Sequence, residues 1–414
     1  MFPLAGSGEL LNDMNRKTIF YRILLLMLTT AELAAQQKAA PLLNWHVAGV
    51  LPAPAGRETS LGVAGPVAGV HHDVLLVAGG ANFPEGAPWL GGKKKYYREG
   101  FVFRRNETDS LVFLKSFSLP SSFAYSANCS TSQGIVAAGG ENEIGLRNEV
   151  LLLQWEETTQ TVFTKNLPSL PFAVTNASLA FHQDKLYLAG GERATDVSNE
   201  VWMLDLVDTA SGWKALPFLQ KAVSHAVLVV QSNGKEDCLF LLGGRKRNPG
   251  GLSDLYASVF QFDLRKGRWS EQKPLPYALS AGTGIAAGDH SILLFGGDTG
   301  ETFHKTEALI AALGKETDPV KKQQLNEEKT VVQSTHPGFC RQVLLYDAAK
   351  KKWSALECLP VAAPVTTTAV KWGDAVYIPS GEIKAGVRSP KILVGQFLSS
   401  TQLTSKPQRR QGSK

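Results

Sequence analysis

Short apolar runs, each closed by a pair of glycines, recur along the chain: VLLVAGG ending at Gly80, IVAAGG at Gly140, LYLAGG at Gly191, LFLLGG at Gly244 and ILLFGG at Gly297. A sixth copy, AVYIPSG at Gly381, carries Ser380 where the others have their first glycine. Uniformly apolar runs of this length, bounded by turn residues, predict strands buried on both faces. A second strand follows, alternating apolar with polar residues in VWMLDL and VFQFDL. A third opens on an aromatic residue and ends near Leu-Pro at 213–217, 269–276 and 353–360, with looser versions at 113–120 and 162–168. Paired glycines suit strand ends where the backbone turns sharply or another backbone approaches closely.

The second glycines stand 60, 51, 53, 53 and 84 residues apart. A period near ~50 with four strands per unit reads as kelch repeats. The expected fold is therefore all-β: a six-bladed kelch-type β-propeller over 42–398. The sixth unit runs out near Phe397 without its aromatic-to-Leu-Pro strand, and one such strand is left over at 44–52, NWHVAGVLP. Pairing the two closes the last blade with the N-terminal strand and leaves no exposed edge. Two insertions break the period just after glycine pairs, ANFPEGAPWLGGKKKYYREG at 81–100 and a longer one at 298–338. The second includes KTEALIAALGKE, where Leu309, Ile310 and Leu313 predict a short amphipathic helix in the fifth blade. Insertions at equivalent points of a repeat rise from one face of the disc, and long ordered loops commonly carry function.

The 414 residues, 43% hydrophobic and 19% charged, exclude disorder of the whole chain and a polytopic membrane protein. The net charge of +6 is no footprint for nucleic acid, because four units are Lys406, Arg409, Arg410 and Lys414 in a polar tail. That tail, 399–414, is expected to be disordered. Asn15, Arg16 and Lys17 precede the apolar run 19–28, and AELAA at 31–35 resembles a small-residue cleavage site. Residues 1–35 thus read as a secretory signal peptide with its true start at Met14, giving a periplasmic or otherwise exported protein with no membrane attachment after processing. The apolar run is shorter than the ~20 residues a spanning helix needs. Cys129, Cys238, Cys340 and Cys358 lack metal-site spacing, so no metal is expected. Folding 340–358 as a hairpin brings Cys340 nearly opposite Cys358, which makes a cross-strand disulfide one expectation.

In a propeller the residue after each glycine pair belongs to a ring about the axis: Ala81, Glu141, Glu192, Arg245, Asp298 and Glu382. Four acids and an arginine at one channel mouth would shift each other's pKa values, although each alone also reads as a solvated turn residue. Glu382 stands in SGEIKAGVRSP, where Lys384 and Arg388 follow on a loop that Gly381 and Gly386 leave free to curl; Glu382 and Arg388 can both face one ligand, and a surface ion pair accounts for the spacing equally well. Lys93, Lys94 and Lys95 beside Tyr96 and Tyr97 could steer an anion or form solvated surface. Trp89 could stack on a sugar or pin its loop. His71 and His72 read as structural or exposed, and His225 as a core histidine near the channel. No P-loop, GxSxG elbow or HExxH pair is present.

Together, VAGGANFP at 77–84, PWLGGKKKYY at 88–97, GGEN at 139–142, GGRKRNPGGLSDLY at 243–256 and SGEIKAGVR at 380–388 resemble the N-acetylneuraminate epimerases, sialic acid mutarotases of the kelch superfamily. The resemblance spans about 44–397, includes both insertions, and looks like the cyclically permuted branch. It implies an active-site pair from the loop GE-x-K-x-G-x-R, matched by Gly381, Glu382, Lys384, Gly386 and Arg388, with Ala385 where other members can have proline. Asn82, Lys94, Lys95, Arg245, Glu141 and Lys384 are candidate substrate-binding residues. The implied substrate is N-acetylneuraminate or a related sialic acid, and no cofactor is implied. Glu382 would move the proton that opens and recloses the hemiketal ring, and Arg388 is suited to hold the substrate carboxylate. Two rivals remain at this level. One is a propeller that binds carbohydrate without turnover; the other is a copper-radical oxidase, which needs tyrosines, histidines and a cysteine clustered at one point.

Overall fold

The computed structural model describes residues 43–398 apart from position 55. The expected signal peptide and basic tail lie outside these residues. Six four-stranded antiparallel sheets make the six blades of a β-propeller. The first blade holds Val67–His71, Val74–Ala78, Glu99–Arg105 and Leu111–Ser118. The sixth is completed by the N-terminal strand Leu43–Val50, which pairs antiparallel with Lys391–Phe397 from Leu43 opposite Phe397 to Val50 opposite Lys391. The repeat spacing thus anticipated both the number of blades and the way the circle closes.

The hydrophobic core is a ring of six clusters, each filled from two neighbouring blades. Val136 and Leu152 of the second blade meet Leu186, Leu188 and Leu204 of the third. Closure uses the same device, with Ala48, Tyr377 and Val394 of the sixth blade packed on Leu75, Val77 and Phe103 of the first. The recurring outer-strand tryptophan links neighbouring blades. Trp213 Nε1 donates to the Pro168 carbonyl at 2.8 Å, Trp269 Nε1 to Pro217 at 2.8 Å, and Trp353 Nε1 to Lys273 at 3.1 Å. An indole whose apolar face is half-buried finds such a partner for its N–H in these three blades, whereas Trp45 Nε1 of the sixth has none.

Both residues of each glycine pair have positive φ, as in Gly190 (66°) and Gly191 (101°). A Cβ on Gly190 would lie 2.1 Å from the Val223 carbonyl oxygen of the next blade. Ser380 adopts the same backbone at φ 57°. Its buried hydroxyl accepts from Val63 N–H at 2.9 Å and lies 2.7 Å from the Ser389 carbonyl, to which it can donate. The serine thereby ties the sixth blade to the chain entering the first. Ser380→Ala keeps the strained backbone but orphans the Val63 N–H, so it should cost about 1–3 kcal/mol in urea unfolding.

The fifth-blade insertion forms two helices rather than one short one, α1 (Glu301–Lys315) and α2 (Pro319–Ser334). Proline is disfavoured inside a helix but suits its first turn, and Asp318 caps α2 by accepting from Val320 N–H and Lys321 N–H at 2.8 and 3.1 Å. All four cysteines are free, because Cys358 sits opposite Gln342 and not Cys340. No described helix is long and apolar enough to cross a membrane.

Candidate functional site

Just before the innermost strand of each blade, one residue adopts left-handed backbone: Gly65, Tyr125, Asn176, His225, Ala281 and Thr366, at φ between 49° and 64°. Each donates its N–H to the carbonyl of its counterpart one blade back at 2.7–3.0 Å, and Gly65 N–H to Thr366 closes a six-membered hydrogen-bonded ring about the axis. Five of the six are not glycine. Strain of this kind persists only where the surroundings impose it. The residue before each of these forms a β-bridge to the residue after the glycine pair, as in Ser224 with Arg245 and Val365 with Glu382. The two motifs together set the axial position of every side chain in the candidate ring.

Above this ring lies a cavity of about 460 Å³, within the ~300–1,000 Å³ range of small-molecule sites. Ring residues Glu141, Glu192, Arg245, Asp298 and Glu382 line it, together with Lys94 and Arg388. Both insertions contribute walls: Phe83 and Trp89 from the first, Phe303 and Gln333 from the helices. Helix α1 is pinned to the fourth-blade loop, where Glu307 accepts from Ser253 N–H and Oγ at 2.8 and 2.6 Å.

Glu382 and Arg388 face each other across a short hairpin, with Oε2 3.4 Å from Nη2. Glu382 Oε1 accepts from Gly386 N–H at 2.7 Å. Burial pushes the Glu382 carboxyl above the ordinary range, and Arg388, the Gly386 N–H and Lys94 hold the rise back. A carboxyl so placed binds its proton more tightly than an ordinary glutamate does. The Arg388 side chain is only 5% exposed, with the Phe83 ring 4.8 Å from its guanidinium carbon. Gly386 has φ 69°, and a Cβ there would meet Pro88 Cδ at 2.8 Å and Trp89 Cζ3 at 2.9 Å. Gly386→Ala should therefore lose at least ~1–2 kcal/mol of stability and, by tilting the Glu382 hairpin, weaken ligand binding; urea unfolding and titration calorimetry read the two effects.

Across the cavity, Arg245 Nη2 lies 3.2 Å from His225 Nε2, and His225 Nδ1 is 3.0 Å from Ser224 Oγ. Ser224 Oγ in turn donates to Glu192 Oε1 at 3.0 Å. Burial, aided by Arg245, holds the His225 pKa well below its usual value, so the ring is neutral and accepts from Arg245 at Nε2. Lys94 pairs with Glu141 at 3.1 Å, and Glu141 also accepts from Tyr96 OH at 2.7 Å.

Of the residues singled out in the sequence, Glu382, Arg388, Arg245, Glu141 and Lys94 converge on the cavity. Asn82 does not line it: its amide donates to Gly62 O at 2.7 Å and accepts from Tyr97 OH at 2.8 Å. Strand alternation explains the difference, because Ala81 holds the ring position and Asn82 points to the other side. Lys95, over the Tyr97 ring at 5.2 Å, is outside the cavity lining for the same reason. Lys384 is exposed, and a register shift between Glu382 and Lys384 breaks the alternation that would have set both on one side. Tyr125 and Asn176 escaped the sequence reading. Their signal was a block of small residues at one offset before each inner strand, as in VTNAS and VSHAV. Among the described residues, no group of three or more His, Cys, Asp and Glu is placed to hold a metal ion.

Fold and cavity define a kelch-type propeller with an axial cavity framed by two insertions. A family model described as N-acetylneuraminate epimerase matches residues 167–409, more than half of the chain. The chain belongs to that family. Relatives named N-acetylneuraminate epimerase include proteins of Brucella melitensis, 27% identical over 249 residues, and Vibrio cholerae, 26% identical over 234 residues. The alignments cover 58% of this chain and 61% of the Brucella protein, and 56% and 59% for the Vibrio protein. The chain thus spans about three fifths of the length of the curated relatives it matches.

Proposed function

We propose that this protein interconverts the α and β anomers of N-acetylneuraminate, or of a closely related sialic acid, by proton transfer at the anomeric centre. The observation that carries the reading is a buried Glu382 carboxyl of raised pKa, paired with Arg388 on the cavity wall. The ionised carboxylate removes the proton of the anomeric hydroxyl as the bond between anomeric carbon and ring oxygen breaks, and the proton passes to that oxygen. Rotation about the bond to the exposed ketone carbon and the reverse transfer close the ring on the opposite face. Nothing is oxidised or reduced, so no redox group is called for. General acid–base catalysis supplies ~10²- to 10⁴-fold, adequate for a reaction that already proceeds slowly in water.

Arg388, buried against Phe83, keeps the Glu382 carboxyl oriented and prevents its pKa from climbing further. Family membership and the motif GE-x-K-x-G-x-R support the choice of sugar. The test is proton NMR of freshly released α-N-acetylneuraminate with and without protein. Catalytic acceleration of its decay to the β anomer is expected, and an unchanged spontaneous rate would overturn the reading. Export to the periplasm belongs to the same proposal, and N-terminal sequencing near Gln36 tests it.

A further inference from the structure

Three cations line the cavity, and their partners differ in kind. Lys94 pairs directly with the Glu141 carboxylate and Arg388 with that of Glu382, at 3.1 and 3.4 Å. Arg245 instead gives Nη2 to a neutral acceptor, His225 Nε2 at 3.2 Å, while its nearest carboxylate oxygen, on Glu192, stands at 3.9 Å. Its Nε is buried without a partner, as are Nε and Nη1 of Arg388, so exposure and not spare donors separates the two arginines. The Phe303 ring of α1 lies 4.6 Å from the guanidinium carbon and covers one face. Arg245 is 19% exposed where Arg388 is 5% exposed. The relay from Glu192 through Ser224 to His225 fixes the imidazole as an acceptor and so fixes the guanidinium, without cancelling its charge at contact distance.

Resting on the sialic acid reading, we infer that Arg245, held by His225 and roofed by Phe303, is the anchor for the substrate carboxylate, and that Arg388 positions Glu382 instead. The chemistry of the sugar suits this division. The carboxylate is attached to the anomeric carbon itself, so the base and the anchor must be different groups acting on adjacent atoms. Arg388 is 5% exposed with its Nη2 turned to the base, whereas Arg245 is 19% exposed and opens more of its guanidinium to the cavity. Charge-assisted, directional recognition of this sort is what arginine supplies and lysine does not. The role also explains the helical insertion, which carries Phe303 onto the guanidinium.

The experiment compares N-acetylneuraminate with its methyl ester, a hemiketal that lacks the negative charge, by calorimetric binding and by NMR anomer exchange. Wild type should prefer the acid by ~10²-fold. In Arg245→Met the acid should fall toward the ester, mainly in KM, leaving the two within about threefold, while Arg388→Met should lower kcat for both and preserve the gap. Equal affinity of wild type for acid and ester would overturn the inference without any variant. So would a gap that survives Arg245→Met or closes in Arg388→Met. Binding keeps the two proposals separable: acid preference lost with Arg245, in a protein that accelerates nothing, would sustain the anchor and sink the catalytic reading.

Discussion

Glu382→Gln should slow catalysed anomer exchange by ~10²- to 10⁴-fold with little change in affinity. Glutamine keeps the size of the side chain, and its carbonyl can still accept from Gly386 N–H and face Arg388, so geometry survives while the proton acceptor is lost. Stability supplies the control. The folded carboxyl has a raised pKa, so its contribution is fully present below the unfolded value and is lost as pH rises through the folded value. Above the unfolded pKa the wild type therefore carries a cost for burying this ionisable group that the amide does not have. The variant should unfold at the same urea concentration as wild type or higher at pH 7. A large loss of stability accompanying the loss of rate would show that Glu382 is structural.

Arg388→Met should reduce kcat by about 10²-fold or more, the scale expected when a preorganised charged partner is removed from a buried site. It should also move the pH profile in a definite direction. If ionised Glu382 is the base, activity falls as pH drops through its raised pKa, with a midpoint above the ordinary ~4.3 of a glutamate. The Arg388 charge opposes that rise. Without it the acidic midpoint moves further up, and part of the lost rate returns at higher pH. A kcat profile whose acidic limb stays in place, or moves down, would contradict the coupling.

Much of the architecture was legible in the one-dimensional pattern, because a blade is a local object. In five of the six all four strands follow one another along the chain, and glycine pairs mark the same point in successive units. The first glycine of each pair meets the neighbouring blade in the same way each time, as Gly190 meets Val223, and three of the tryptophans do so as Trp213 does with Pro168. The orphan strand at 44–52 declared the closure because one sheet was otherwise a strand short. The Glu382–Arg388 pair was legible through its motif, and the hairpin geometry accounts for the spacing.

What the chain's linear order did not decide was which polar side chains share the cavity. Lys94 and Lys95 are adjacent in sequence, as are Ala81 and Asn82, yet strand alternation sends them to different sides, and a bulge removes Lys384 from the side of Glu382. The second helix of the insertion needed a proline at position 319 to be read as a beginning. Above all, the contrast between Arg245 on a neutral histidine and Arg388 on its carboxylate exists only in three dimensions. Partners 20 residues apart in one case and six in the other are set by the hydrogen-bonded ring about the axis and by the burial that keeps His225 uncharged.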